Sequence, residues 1–221
     1  ETSFRRPFRD RLFRSIIFAV LPYPQRLRLL TTPLMVLTRL RNWLESRRWL
    51  NCLPARVRAL LRLLPDNIGC SAYQPERTPA QGSRRSTVGL LTGCVQRVFF
   101  GEVNRATARV LAAEGCEVIA PTGQGCCGAL SLHAGREFEA KAFARCMIAS
   151  FERTGVDLIA VNVGGCGSAM KEYGRLFTDD PEWADRAETF SASVRDVSEL
   201  LAEIGPARAS RYRLEARVVY H

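Results

Sequence analysis

Residues 87–221 predict an α/β domain: a parallel sheet of about four strands with flanking helices, preceded by an all-helical, Arg-rich segment. Three observations carry that prediction. Short runs rich in Val, Ile and Leu, at 88–91, 118–120 and 158–163, have the length and composition of buried strands. Each run ends in a Gly-rich loop, and each loop leads into a helical pattern, over 102–114, 132–153 and 169–177. Strand, loop and helix repeated three times point to a parallel sheet, whose carboxyl-end loops line one crevice. Those loops carry Cys94 in TGC, Cys126 and Cys127 in GQGCCGA, and Cys166 in GGCGS. Four cysteines far apart in the chain are therefore expected to face one small volume.

The 221 residues allow one good-sized domain and an accessory segment, and 47% hydrophobic with 24% charged residues is a globular composition. The net charge of +10 is unevenly placed: residues 1–86 hold 17 arginines against five acids, while 87–221 are close to neutral. Residues 1–64 read as basic amphipathic helices. Leu12, Phe13, Ile16, Ile17 and Val20 form one apolar face, stopped by Pro22 and Pro24; Leu34, Leu37, Leu40 and Leu44 form a second; Val57, Leu60, Leu61 and Leu64 form a third. Such helices are expected to pack on the main domain or a partner, with peripheral attachment to an anionic membrane as the sharper alternative. The longest apolar run, 16–21, is too short to span a bilayer, and no secretory-signal pattern is present. No nucleic-acid-binding motif accompanies the charge, so nucleic acid is not a predicted partner.

Residues 65–86, rich in Pro, Gly and Ser, read as a linker. Beyond Cys166 the sequence predicts a helix, an acidic stretch over 178–188, an amphipathic helix over 194–204 and a fourth strand over 214–220. The chain then stops at His221, which reads as a cut at a domain's midpoint.

The eight cysteines divide into two groups. Cys116 adjoins a strand, Cys146 lies inside a helical pattern, and Cys52 and Cys70 stand outside the α/β unit, so all four read as small buried apolar residues. Cys94, Cys126, Cys127 and Cys166 resist that reading. Adjacent Cys126 and Cys127 alternate in direction, and Gly125 and Gly128 allow a tight backbone around a bound cluster. Helix N-termini favour thiolate, the form that ligates metal. These four are the candidate metal ligands, and Gly125, Gly128, Gly165 and His133 are the candidates to line a cofactor. Four other readings compete. Structural disulfides are rare in the reducing compartment expected here. A simple zinc site favours Cys-x-x-Cys knuckles, and none is present. Residues 123–128 spell G-x-G-x-x-G, but the next strand ends without the acid that a dinucleotide ribose wants. A nucleophilic cysteine with His133 as base is also conceivable, though a solvated or capping His133 weighs more.

The order TGC, GCCGA with a histidine soon after, then GCG followed by KEYG resembles the cysteine-rich (CCG) domain of the heterodisulfide reductase B subunit and its relatives. Within that group, Gly165-Cys166-Gly167 with Lys171-Glu172-Tyr173-Gly174, the Arg/Leu helices with LPYP and the linker look most like the iron–sulfur subunits of bacterial glycolate oxidases. The resemblance implies an iron–sulfur electron-transfer subunit, with a [4Fe-4S] cluster expected and no catalytic residue of its own. It implies flavin-binding oxidase subunits as partners, with FAD on those partners only. Electrons would pass toward the respiratory chain, from a cytoplasmic position peripheral to the membrane's inner face or its quinone side. Lactate-utilisation proteins share the domain, and a scaffold with vestigial or zinc-binding cysteines is the non-redox alternative. The family usually carries ferredoxin-type motifs ahead of this region and a second repeat after it, so the chain is expected to be the middle of a longer protein. The family's fullest motif ends Cys-x-x-Cys, whereas position 169 is Ala, which argues against a special multi-cysteine cluster of the heterodisulfide reductase kind; a cubane held by Cys94, Cys126, Cys127 and Cys166 needs only four thiolates.

Overall fold

A computed structural model describes residues 7–47, 49–62, 74–205 and 215–217. Helices α1 (Phe8–Val20) and α2 (Pro24–Ser46) lead, followed by a 3-10 turn (Trp49–Cys52) and α3 (Ala55–Arg62). Leu21 to Tyr23 separate α1 from α2, and Pro24 opens α2 in the first turn, where its missing N–H costs nothing. The α/β part runs β1 (Arg77–Thr78), β2 (Ser86–Leu90), α4 (Gln96–Phe99), α5 (Gly101–Ala113), β3 (Cys116–Ile119), α6 (Ala129–His133), α7 (Glu137–Glu152), β4 (Leu158–Val161), α8 (Gly164–Lys171), α9 (Tyr173–Leu176), α10 (Ala184–Ser193), β5 (Val194–Asp196) and α11 (Val197–Ile204).

The sheet has the order β1-β3-β2-β4-β5, parallel throughout except for the antiparallel edge strand β1. The predicted parallel α/β class therefore holds, with five strands in place of about four. Two strands differ from expectation. β1 lies in the stretch that reads as a linker, pairing Arg77 with Ile119 and Thr78 with Val118. β5 takes the first three residues of the helix expected over 194–204, because Asp196 caps that helix: its side chain accepts from the Ser198 N–H while the Glu199 carboxylate accepts from the Asp196 N–H. The fourth strand expected over 214–220 falls mostly outside the described residues, as does Cys70.

Alternation along the strands builds a core on each face. Val88, Leu90, Val118 and Ala160 meet Ala108 and Leu111 of α5 and Leu200 of α11. Leu91, Ile159 and Val161 meet Met147, Ile148 and Phe151 of α7, with Tyr173, Phe177 and Phe190 behind them. Gly89 points to this second face, and a Cβ there would lie 2.8 Å from the Phe151 ring, so glycine sets how closely α7 approaches.

Described contacts dock the N-terminal helices on this body, among them the packing of α2 on α4. The Arg136 guanidinium sits 4.2 Å from the Phe18 ring centre, and Tyr23 meets Phe143 of α7 edge-on. α2 turns Leu27, Thr31, Thr38 and Arg41 inward and leaves Leu29, Leu30, Val36, Leu37, Leu40 and Trp43 exposed. Of the apolar face that the sequence predicts on this helix, Leu37 and Leu40 are exposed and Leu44 is half-buried, while the Leu34 side chain lies outside the described residues. Among the described residues no helix is long and apolar enough to cross a membrane.

Candidate metal centre

The chain moves from β2 to β3 on one side of the sheet and then crosses back to β4 on the other. Strand order therefore reverses at β2, and the crevice beyond the carboxyl ends of these strands is where open α/β sheets place ligands. Cys94 follows β2, Cys126 and Cys127 follow β3, and Cys166 sits in the first turn of α8 after β4. The three loops bring all four thiols together. The Cys94 and Cys126 sulfurs are 3.6 Å apart, Cys126 hydrogen-bonds Cys127, and Cys127 hydrogen-bonds Cys166. Cys126 and Cys127 are each 4% exposed, while Cys94 and Cys166 are half-buried.

Backbone N–H groups aim at the row. The Gly128 N–H donates to Cys126 Sγ at 3.4 Å, and those of Val95 and Ala129 donate to Cys94 and Cys127. Gly128 adopts φ 78°, and a Cβ there would lie 3.0 Å from the Ala140 carbonyl oxygen, so only glycine holds this turn against α7. The Tyr173 hydroxyl, fully buried and stacked on Phe190, donates to the Cys127 carbonyl at 2.5 Å. An amide network fixes the loops from beneath. Gln124 accepts from the Thr92 N–H at 2.8 Å and donates to the Leu90 carbonyl at 3.1 Å. Gln96 donates to Asn104 and Asn162 at 2.8 and 2.7 Å, and Asn104 donates to the Thr92 carbonyl at 2.9 Å.

Packing protonated thiols side by side raises their pKa values, because a second thiolate would face the first in a dry setting. The hydrogen bond with Cys127, together with burial, pushes Cys126 up to about 11 against the opposing bond from Cys94. For Cys127 the bond with Cys126 pulls down, but Cys166 and burial outweigh it and push the thiol up to about 12. Cys94 is driven well above the ordinary thiol range by its bond to Cys126 and by burial. Cys94, Cys126 and Cys127 are thus a neutral string of thiols whose deprotonation calls for a compensating cation. Among the described residues no three His, Cys, Asp or Glu side chains are already spaced around a single ion. The donor set itself is four soft sulfurs backed by N–H donors, which suits zinc or an iron–sulfur cluster rather than a hard cation.

The remaining candidates separate clearly. Gly125 and Gly165 flank the sulfurs, and a Cβ on either meets nothing within 4 Å. His133 ends α6 with its side chain exposed. Cys116 is fully buried in β3, as expected. Cys146 corrects the reading: on α7 the inward positions are taken by Ala144, Met147, Ile148 and Phe151, and Cys146 faces solvent. Cys52 is likewise exposed. Ala169 is buried one turn beyond Cys166. Gln96, Asn104, Gln124, Asn162 and Tyr173, together with Arg97, were not legible as site residues; the hints were a Gln and an Asn among apolar neighbours in 96–111, and the places of Gln124 in GQGCCGA and Tyr173 in KEYG.

Comparison with known proteins agrees with this geometry. Residues 88–171 match the family model of the CCG cysteine-rich domain. This segment is a CCG domain. The chain is 36% identical over 157 residues to a protein of Bacillus subtilis named "Probable glycolate oxidase iron-sulfur subunit", covering 70% of this chain and 35% of that one. It is 31% identical over 224 residues to the "Glycolate oxidase iron-sulfur subunit" of Escherichia coli, covering 100% of this chain and 50% of that one. It is 32% identical over 134 residues to "Lactate utilization protein A" of an Exiguobacterium, covering 61% and 55%. The chain spans about half or less of the length of these relatives. No solved structure matches.

Proposed function

We propose that the thiols of Cys94, Cys126, Cys127 and Cys166 hold an iron–sulfur cluster in an electron-carrying subunit of a 2-hydroxy-acid oxidase, with glycolate the favoured substrate of the whole assembly. The observation that carries this is the convergence of four sulfurs, from three loops, at the point where strand order reverses. The names of the relatives support the iron–sulfur and oxidase parts of the reading.

A [4Fe-4S] cluster needs four thiolates and supplies one-electron transfer. Cys126 and Cys127 provide two from one loop, with Cys94 and Cys166 closing the set. The N–H donors from Val95, Gly128 and Ala129 offset the charge of the deprotonated sulfurs. Tyr173 and the Gln124 network hold the loops, and the paired faces of the sheet keep water from Cys126 and Cys127. Substrate oxidation is assigned to flavin-binding partner subunits, which carry the FAD and pass electrons here on the way to the respiratory chain. The outward apolar face of α2, edged by Arg28 and Arg39 and followed by Trp49, is assigned to the surface of an anionic membrane on its cytoplasmic side.

Zinc is the second reading, because sulfurs bound tetrahedrally at about 2.3 Å stand roughly 3.8 Å apart, close to the 3.6 Å between Cys94 and Cys126. The test compares Cys127→Ser with Cys146→Ser in the anaerobically purified protein. The first is expected to lose most of its iron and its electron transfer to an external acceptor, while flavin reduction by substrate persists on the partner. The second keeps both. Equal iron and equal turnover in the two variants would remove the proposal, and stoichiometric zinc with no iron would select the second reading.

A further inference from the structure

The guanidinium of Arg97 spans the two loops that supply the closest pair of sulfurs. Its Nε donates to the Gly93 carbonyl at 2.7 Å, and its Nη2 donates to the Gln124 carbonyl at 2.9 Å. Gly93 immediately precedes Cys94, and Gln124 stands two residues before Cys126. One planar fork therefore ties the loops together beside sulfurs that lie 3.6 Å apart. The Arg97 charge also acts on both of those sulfurs. Helix α2 packs on α4 and carries Arg28 close enough to add a second positive charge to the same side of the site.

Resting on the iron–sulfur reading above, we propose that Arg97 is a positioning residue that clamps the Cys94 and Cys126 loops at ligating separation and sets the reduction potential of the group they hold. Reduction adds one electron, and hence one negative charge, to that group. A fixed positive charge in a partly desolvated setting stabilises the reduced state over the oxidised one, since Coulomb interactions strengthen as the local dielectric falls. Guanidinium does not deprotonate in proteins, so the effect persists across the working pH range. Arg28 is exposed, so its contribution is smaller and is screened by salt. The two roles separate by substitution: Lys at position 97 keeps the charge and loses the fork, whereas Gln keeps donors and loses the charge.

The experiment is a redox titration of the anaerobic protein, followed by visible absorption with mediator dyes and paired with the rate of iron release to a chelator. Arg97→Gln is expected to lower the preference for the reduced state about tenfold, which is 59 mV for a one-electron couple. Arg97→Lys is expected to titrate as the wild type does while releasing iron faster. Arg28→Gln, at an exposed position, is expected to shift the potential in the same direction by less, and only at low salt. An Arg97→Gln protein that holds iron and titrates at the wild-type potential overturns the assignment. Should that variant take up no iron, uptake by Arg97→Lys supports it, and an unmoved potential in Arg28→Gln at low salt overturns its electrostatic half. A wild type that binds no iron sinks the iron–sulfur reading itself, an outcome distinct from coloured variants that share one potential.

Discussion

The sulfurs of Cys94 and Cys126 lie 3.6 Å apart although 32 positions separate them in the chain. The contact is made by parallel pairing of β2 with β3, which sets Val88 beside Val118 and Gly89 beside Ile119, so that both following loops leave the same edge. Cys116 is buried like Cys126, but it sits in the β3 ladder beside Ser86, at the other end of that pairing. Cys94→Ser is expected to lose most bound iron with little change in the melting temperature of the cluster-free protein. Cys116→Ser is expected to keep its iron and to lose about 1–3 kcal/mol of stability from the buried hydroxyl. Iron analysis and thermal denaturation of the two variants check this contrast.

Tyr173 holds the Cys127 carbonyl from within the core. Tyr173→Phe leaves that buried carbonyl without its partner while preserving the stacking on Phe190. A loss of about 1–3 kcal/mol follows, or a melting temperature lower by roughly 2–4 °C for each kcal/mol. Iron release to a chelator is expected to quicken, because the doubly ligating loop is freed. An unchanged melting curve and an unchanged release rate would show that the hydroxyl supports neither.

The thiols also set a pH dependence for the cluster-free protein. Cys126 and Cys127 titrate at about 11 and about 12 when folded, against 9.0 as the reference value. Folded pKa values above the unfolded ones give stability that is whole below pH 9 and falls as pH rises from 9 toward 12. Urea denaturation at pH 8 and pH 10 is expected to give a lower midpoint at pH 10 for the cluster-free protein. Cys126→Ser narrows that gap. A midpoint higher at pH 10 would contradict the packed, protonated row.

Among the described side chains, the outward face of α2 offers Leu29, Val36, Leu40 and Trp43 along one stripe. Replacing Leu40 and Trp43 with Ser is expected to leave the melting temperature within about 1 °C, since neither is buried. Co-sedimentation with vesicles containing anionic lipid is expected to fall at least tenfold, and binding of the wild type to weaken steeply with salt. Undiminished vesicle binding would contradict the membrane assignment. Loss of co-purification with the proposed flavin-binding subunit, without any vesicle binding, would make the face a protein interface.

How much of this was legible depended on how local the signal is. The strands β2, β3 and β4 announce themselves because each is an apolar run closed by glycine, and the convergence of the four cysteines follows from parallel order alone. β1 and β5 are two and three residues long, too short to carry a period, and β5 runs directly into a helix whose start is marked only by the Asp196 cap. The apolar stripe of α2 is plain in the sequence, but periodicity cannot say which side has a partner, and here Thr31, Thr38 and Arg41 face inward. Cys146 shows the limit of residue type as a guide to burial: its neighbours Met147 and Ile148 occupy the core positions. Arg97 belongs to no motif and Gln124 fills a variable position of one, and their roles follow only from carbonyls brought within reach by the fold.

The central claim, that Cys94, Cys126, Cys127 and Cys166 hold an iron–sulfur cluster, is tested most directly by iron and acid-labile sulfide analysis of anaerobically purified protein, with its spectrum recorded before and after dithionite. The account predicts a brown protein with about four irons and about four sulfides attributable to this site, an absorbance that bleaches on reduction, and loss of both metal and colour in Cys127→Ser. Colourless protein with near-zero iron, or iron unchanged in the Cys127→Ser variant, would contradict it.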